Sequence, residues 1–278
     1  MNKSSEELPG PAEAGLDGPV IARGRCGEIV DLGGDRVLKR FYAHLPVEWA
    51  GVEYERTRLA SEVCALAPHP LQLHEVGDRH GIVLPRLEGP SLLADLLRKP
   101  WHAARVGRRL ASLHAEIHAC PGQGLPSVRD SLADAIRRSS LDEPLRARAL
   151  AELARCGDGL ALCHMDFHPD QVMQTPRGDV VIDWATAGRG HPLADVTRTW
   201  LMLRLGEPPG AGLGLRLFIA VLRRGLIGAY LRRYGELRGI DAKVAIRPWI
   251  FPVAAARLSD GIAEERPRLL RLLARVQD

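Results

Sequence analysis

Short β-prone runs broken by glycine occupy the first part of the chain, and helical apolar periodicity dominates the remainder. Val20-Ile21-Ala22-Arg23, Glu28-Ile29-Val30-Asp31-Leu32 and Arg36-Val37-Leu38-Lys39-Arg40-Phe41 read as strands, with Gly33-Gly34-Asp35 as a hairpin turn. A helix from about Pro46 to Ala67 follows, with proline suited to its first turn. Leu71 to Leu87 reads as two further strands around Gly77-Asp78-Arg79-His80-Gly81. Beyond Gly89-Pro90, Ser91 is placed as an N-cap, and Val106, Leu110, Leu113 and Ile117 form a stripe within a helix over Trp101–Ala119. Helices are expected near 129–139 and 142–155, and again from Leu193 to the end, with a small strand–loop–strand island between them. The pattern therefore predicts an α+β chain, with a small antiparallel sheet and one helix over 19–88 and a larger, mainly helical part over 89–278. Residues 1–18, rich in Ser, Glu, Pro and Gly, read as a disordered tail.

Composition narrows the class. A chain of 278 residues with 46% hydrophobic content can bury roughly 75% of its unfolded surface. Five scattered cysteines, with no Cys-x-x-Cys pair, point to reduced thiols in a cytoplasmic protein. The first eighteen residues hold no apolar run of the signal-peptide kind. The best bilayer candidate, Ala245–Leu258, is interrupted by Arg247, Pro248 and Pro252, so no membrane role is expected. Of the net charge of +4, the segment Val196–Asp278 carries +8, from fifteen Arg and Lys against seven Asp and Glu. Those arginines are spread over several helices without aromatic interleaving, which argues against nucleic acid as a partner. A monomer or weak dimer is expected.

The chemistry concentrates in Cys163-His164-Met165-Asp166-Phe167-His168-Pro169-Asp170-Gln171 and in Val180-Val181-Ile182-Asp183-Trp184. They place two carboxylates, Asp166 and Asp183, at the ends of apolar runs separated by the turn Thr175-Pro176-Arg177-Gly178-Asp179. By itself, His-x-Asp-x-His reads equally as a polar loop whose side chains cap turns. A metal-dependent hydrolase using His164, Asp166, His168 and His191 is also open, although it leaves the first third of the chain unexplained. His114, within the stripe Leu110-Leu113-His114-Ile117, reads as a core histidine.

His164-Met165-Asp166-Phe167-His168-Pro169-Asp170-Gln171 resembles the His-Gly-Asp-Leu-His-Pro-Gly-Asn signature of the aminoglycoside phosphotransferase and choline-kinase superfamily. Ile182-Asp183-Trp184 resembles its metal-binding motif, and Gly190-His191-Pro192-Leu193-Ala194-Asp195 the Gly-Asp-Pro-x-x-Asp that follows. The resemblance implies a bilobal protein-kinase-like fold, with a nucleotide-binding N-lobe over 19–88 and a C-lobe over 89–278 that holds the catalytic loop and the acceptor. It implies that Asp166 accepts the acceptor hydroxyl's proton, that Asp183 and Gln171 hold Mg²⁺, and that His164, His168 and Asp195 support the loop. The donor is then ATP or GTP. Lys39 becomes the phosphate-contacting lysine. Val52, Leu59, Val63 and Leu66 form one helical stripe that includes Glu55, whereas Glu53 lies roughly 200° away from Glu55, so Glu55 is expected to pair with Lys39. The loop of Arg25, Cys26 and Gly27 is implied to cover the phosphates, and Pro85 and Leu87 to read the base. Asp260, Glu264 and Glu265 are weak candidates for acceptor amines. Two positions depart from the signature: Met165 stands where the family has Gly, and Gln171 where it has Asn. The implied activity is transfer of a γ-phosphate to a small hydroxylated molecule, foremost an antibiotic. A metabolic kinase for a choline- or sugar-like alcohol, or a catalytically silent relative, is the alternative.

Overall fold

The computed structural model describes residues 18–76, 79–205 and 213–275. All but the last residue of the expected tail, and Gly77-Asp78 of the expected turn, lie outside them. The chain divides into two compact units, one running to Tyr54 and including His69–Leu87, the other formed by Glu55–Pro68 and the chain from Glu88.

In the first unit, β1 (Val20–Arg23), β2 (Gly27–Asp31) and β3 (Arg36–Phe41) precede α1 (Glu48–Val63), which crosses into the second unit, and β4 (Gln72–Val76) and β5 (Arg79–Pro85) follow. The sheet is antiparallel, in the order β1-β2-β3-β5-β4. Gly33 and Gly34 turn the β2–β3 hairpin with φ of 78° and 62°, a pair of left-handed residues that only glycine adopts without cost. Alternation splits the sheet into two faces: Val30, Leu38 and Val83 cluster on one, while Phe41 and Ile82 pack with Ala50 and Tyr54 of α1 on the other. Lys39 shares a face with Phe41, so its side chain rises toward α1.

The second unit continues with α2 (Leu92–Arg98), α3 (Ala103–Ile117), α4 (Val128–Arg138) and α5 (Glu143–Arg155). Next come β6 (Ala161–Cys163), β7 (Val172–Thr175), β8 (Gly178–Val181) and β9 (Gly188–Gly190). It closes with α6 (Pro192–Leu205), α7 (Leu213–Arg238), α8 (Ala242–Ala245), α9 (Arg247–Arg257) and α10 (Arg266–Arg275). Ser91 caps α2 as expected, accepting the Ala94 N–H, and Ser127 and Asp142 cap α4 and α5 in the same way. The interrupted apolar stretch Ala245–Leu258 becomes α9, whose residues Phe251–Arg257 are all buried. Among the described residues no helix is long and apolar enough to cross a membrane. The five cysteines are free.

The expected strand–loop–strand island is built differently. β6 pairs with β9, and β8 forms a hairpin with β7, two strands that the sequence did not reveal. Both are too short for periodicity to register, and Gly188-Arg189-Gly190 carries no apolar side chain at all.

α3 and α7 run in the same direction in close contact. A Cβ on Gly107 would fall 2.3 Å from the Leu226 carbonyl oxygen, so glycine is what lets the two backbones approach. One and two turns further along α7, Tyr230 meets His114 and Tyr234 meets His118.

Candidate active site

Lys39 Nζ lies 2.7 and 2.8 Å from the two carboxylate oxygens of Glu53, whose side chain is only 5% exposed. The expected partner, Glu55, instead holds Arg58 on the exposed side of the helix. The stripe drawn from Val52, Leu59, Val63 and Leu66 was misleading, since Val52 and Val63 remain 44% and 37% exposed. The buried face of α1 is Ala50, Glu53, Thr57, Ala60 and Cys64, spaced three and four residues apart but made of small and polar side chains. A desolvated carboxylate needs a cation, which explains the pairing once the face is known.

In the loop before β2, Arg25 is exposed and Cys26 half-buried. The Gly24 N–H donates to the Gly27 carbonyl at 2.8 Å. A Cβ on Gly27 would come within 2.2 Å of the Arg40 carbonyl oxygen, so the tight β2–β3 approach requires glycine there. Glu28 closes the hairpin by accepting from Arg40 at 2.6 and 3.0 Å. Pro85 ends β5 opposite Arg36. Arg86 donates to Asp31 at 2.5 Å, and with the Gly33 N–H it holds that carboxyl below its ordinary range. Leu87, half-buried, is the last residue of the first unit.

In the second unit, five backbone groups of residues 164–167 are held by side chains. The His164 and Met165 N–H groups donate to Asp195 at 2.5 and 2.9 Å, one to each carboxylate oxygen. Thr186 donates to the His164 carbonyl and Thr199 to the Phe167 carbonyl, each at 2.8 Å. His164 is fully buried, and burial pushes its pKa down, so it is neutral. Its Nε2 donates to the Ile182 carbonyl at 3.0 Å, which leaves Nδ1 to accept the Asp166 N–H at 3.3 Å. With both ring nitrogens in use, His164 cannot be the metal ligand of the hydrolase reading. His191 accepts the Leu193 N–H and stacks on Trp249.

The clamped turn presents Asp166 with its side chain 30% exposed, and His168 Nε2 stands 3.9 Å from its Oδ2. Met165, in the family's glycine position, adopts φ of 64° and is buried. That left-handed backbone costs a side-chain-bearing residue roughly 1–2 kcal/mol, and Asp195 holds it in place. Asp183 is left-handed too, at φ of 65°. Gln171 donates to Asp183 Oδ2 at 3.3 Å and lies 3.4 Å from His168 Nε2. Turned over, the same amide would offer Oε1 beside the Asp183 carboxylate, an all-oxygen pair of the type Mg²⁺ prefers.

Two of the three candidate acceptor carboxylates are engaged by arginines. Glu265 takes Arg257 in a fork at 2.8 and 2.9 Å, and Asp260 accepts from Arg198 at 2.8 Å and from Arg257 at 3.1 Å. Glu265 is buried, whereas Asp260 and Glu264 are exposed. Burial works against the Arg257 cation, but Glu265, then Asp260 and Asp166, outweigh it and raise its pKa.

His114 is a core histidine as expected, but its partner Asp195, and the role of His118 beside it, could not be read from the sequence. His118 Nε2 lies 3.3 Å and His114 Nε2 3.1 Å from Asp195 Oδ2. Burial alone would push the Asp195 pKa up, yet the two imidazoles facing it, His114 foremost, hold it well below the ordinary carboxylate range. Two histidines four residues apart were visible, but nothing local announced the acid from α6 or the tyrosines from α7.

Comparison with known proteins adds the family. A search of curated sequences finds no match. Among solved structures, the chain is similar to a thermostable mutant of aminoglycoside phosphotransferase APH(4)-Ia in ternary complex with AMP-PNP and hygromycin B, at 18% identity and a TM-score of 0.64, covering 93% of this chain and 92% of that one. It is similar to an aminoglycoside-3'-phosphotransferase of type VIII at 24% identity and a TM-score of 0.61, covering 87% and 92%. A choline/ethanolamine kinase family protein from Mesorhizobium loti follows at 18% and 0.53, covering 96% and 90%. These likenesses establish the protein-kinase-like fold expected from the motifs. The APH model, described as the phosphotransferase enzyme family, matches residues 28–240. The chain belongs to the phosphotransferase enzyme family.

Proposed function

We propose that this protein is a small-molecule O-phosphotransferase that moves the γ-phosphate of ATP or GTP to a hydroxyl of an antibiotic. The observation that carries the reading is the Asp166 carboxylate, held partly exposed on a turn whose flanking backbone is clamped by Asp195, Thr186, Thr199 and the His164 ring. A phosphoryl-transfer transition state is loose, so positioning and charge neutralisation do most of the work. Asp166 would orient the acceptor hydroxyl and take its proton. In this reading residues 19–88 bind the nucleotide and residues 89–278 supply the catalytic loop and the acceptor site. Lys39, oriented by Glu53, would contact the phosphates, the N–H groups around Arg25, Cys26 and Gly27 would cover them, and the Pro85 carbonyl and Leu87 N–H would read the base. Asp183 and Gln171 would hold Mg²⁺, which when bound neutralises charge on the nucleotide phosphates. His168, beside both Asp166 and Gln171, would keep the two carboxylate sites in register.

The acceptor follows from charge. With Asp260 and Glu265 tied to Arg198 and Arg257, Glu264 alone of the three candidate carboxylates is left to bind a polycation. A neutral hydroxylated acceptor (a nucleoside, macrolide or peptide antibiotic) fits better than an aminoglycoside. The test is a screen of hydroxylated antibiotics for ADP or GDP release, beside nucleotide-dependent thermal shift with and without Mg²⁺. Asp166→Asn is expected to lower turnover by about 10²–10⁴ while the metal-dependent thermal shift persists. A wild-type protein that shows no nucleotide shift, or one indifferent to metal, would defeat the reading.

A further inference from the structure

The buried groups around Asp195 form more than packing. His114 in α3 and His118 at its C-cap, four residues apart and both within the core, turn their Nε2 atoms toward Asp195 Oδ2. On the opposite edge of each ring, Nδ1 lies 2.7 Å from the Tyr230 hydroxyl and 2.8 Å from the Tyr234 hydroxyl. An ionised carboxylate can only accept, so a neutral ring facing it carries the hydrogen on Nε2. Each Nδ1 then accepts from its tyrosine, which gives one complete Tyr234→His118→Asp195 relay and a second pair, Tyr230→His114, that ends beside the same carboxylate. His118 completes its relay with a hydrogen bond to Asp195, while His114 Nε2 stands close but out of line for one. The other side of the same carboxylate grips the His164 and Met165 N–H groups, including the one residue of this turn that is held left-handed.

We propose that His114 and His118, braced by Tyr230 and Tyr234, are positioning residues: they fix the Asp195 carboxylate so that its oxygens pin the backbone on which Asp166 is carried. Side chains that contribute nothing but apolar filling could not do this, because they would leave Asp195 free to rotate in its pocket. The turnover readout of this role rests on the phosphotransferase reading. The order of the loop does not, and can be measured without any substrate.

The experiment compares hydrogen–deuterium exchange of the peptide over 160–170 in wild type, His118→Leu, Tyr234→Phe and His118→Gln, alongside turnover. Exchange of that peptide should rise at least about tenfold in His118→Leu and Tyr234→Phe, while α10 and the five-stranded sheet keep wild-type protection. The glutamine variant, whose amide N–H can reach Asp195, should return it close to wild type. Turnover should fall by about tenfold or more in the first two variants with nucleotide KM within about twofold, and recover in the third. If His118→Leu does not fold, Tyr234→Phe, which removes a single oxygen, carries the test. Unchanged loop exchange overturns the proposal, as does exchange raised evenly across the unit, or a glutamine variant no better than leucine. The three ligand atoms of His114, His118 and Asp195 lie within 4.8 Å of one another, so metal content is measured as well. A stoichiometric metal lost in His118→Leu would replace positioning with metal binding. If no acceptor is ever turned over yet loop exchange responds as expected, it is the phosphotransferase reading that fails.

Discussion

Lys39 in the first unit meets Glu53 in a fork at 2.7 and 2.8 Å and keeps 15% of its side chain in solvent, whereas Asp195 in the second is fully buried and faces two backbone N–H groups and two histidines. The first arrangement joins a strand to a helix and leaves part of the Lys39 side chain in solvent. The second joins α3, α6 and the turn over 164–167, and its carboxylate is closed to solvent. The Lys39–Glu53 pair sets one cation against one carboxylate, so breaking it strands a single group. A buried carboxylate surrounded by donors is different, since removing it leaves every donor unpaired at once. The two units should therefore respond very differently to the same kind of substitution.

Asp195→Ala is the severest way to break the comparison. It strands the His164 and Met165 N–H groups and two imidazoles, and should cost roughly 3–5 kcal/mol by urea denaturation, with turnover lost. A loss below about 1 kcal/mol would put Asp195 in the same class as an exposed pair.

Acid should act next. The folded state keeps His118 neutral until about pH 4, because burial and then the neighbouring His114 push its pKa down to about 4. The unfolded chain takes up that proton near its ordinary value of 6.5. Stability is thus fully present above about pH 6.5 and declines as pH falls toward 4, by roughly 3 kcal/mol in all. His164 and His191, also lowered by burial, act in the same direction. Asp195, held low, withdraws its own contribution only at more acid pH. His118→Gln should flatten the slope of denaturation free energy between pH 6.5 and 4, and an unchanged slope would show that another group is responsible.

Met165→Gly sets two opposed effects against each other. It relieves roughly 1–2 kcal/mol of left-handed strain but removes a buried side chain worth about 2–5 kcal/mol. Packing should win, with a net loss of about 1–3 kcal/mol. A variant more stable than wild type would mean that the side chain is poorly packed.

The smallest effects belong to the first unit and sharpen the contrast. Glu53→Gln should cost about 1–2 kcal/mol and weaken nucleotide binding, read by thermal shift. Glu55→Gln, on the exposed side beside Arg58, should stay within about 0.5 kcal/mol and bind nucleotide normally. Equal effects at the two positions would contradict the buried face of α1.

Which features could be read in advance follows from how far apart the interacting residues lie. The β2–β3 hairpin was evident because Gly33 and Gly34 sit between two alternating runs and need no distant partner. Ser91 and the stripe of α3 were legible for the same reason. The turn carrying Asp166 was recognisable as a motif, although β7 and β9, only four and three residues long, were not. α1 was read with the right extent to within a turn, yet its buried face was misassigned. Hydrophobicity marks a buried face only where apolar contact drives the burial, and here Glu53 is buried by a cation instead.

The amino-acid order by itself determined the local elements, the left-handed turns and the chemical types gathered near residues 163–171 and 180–184, because each depends on neighbours a few positions away. Tertiary structure alone decided which glutamate Lys39 would meet, fourteen residues along, and which histidines would face Asp195, 77 residues away for His118. It alone supplied the tyrosines, 116 residues from the histidines they brace. Those choices rest on which faces of separate helices are pressed together, and a helix's periodicity shows that it has a face without showing what that face will touch.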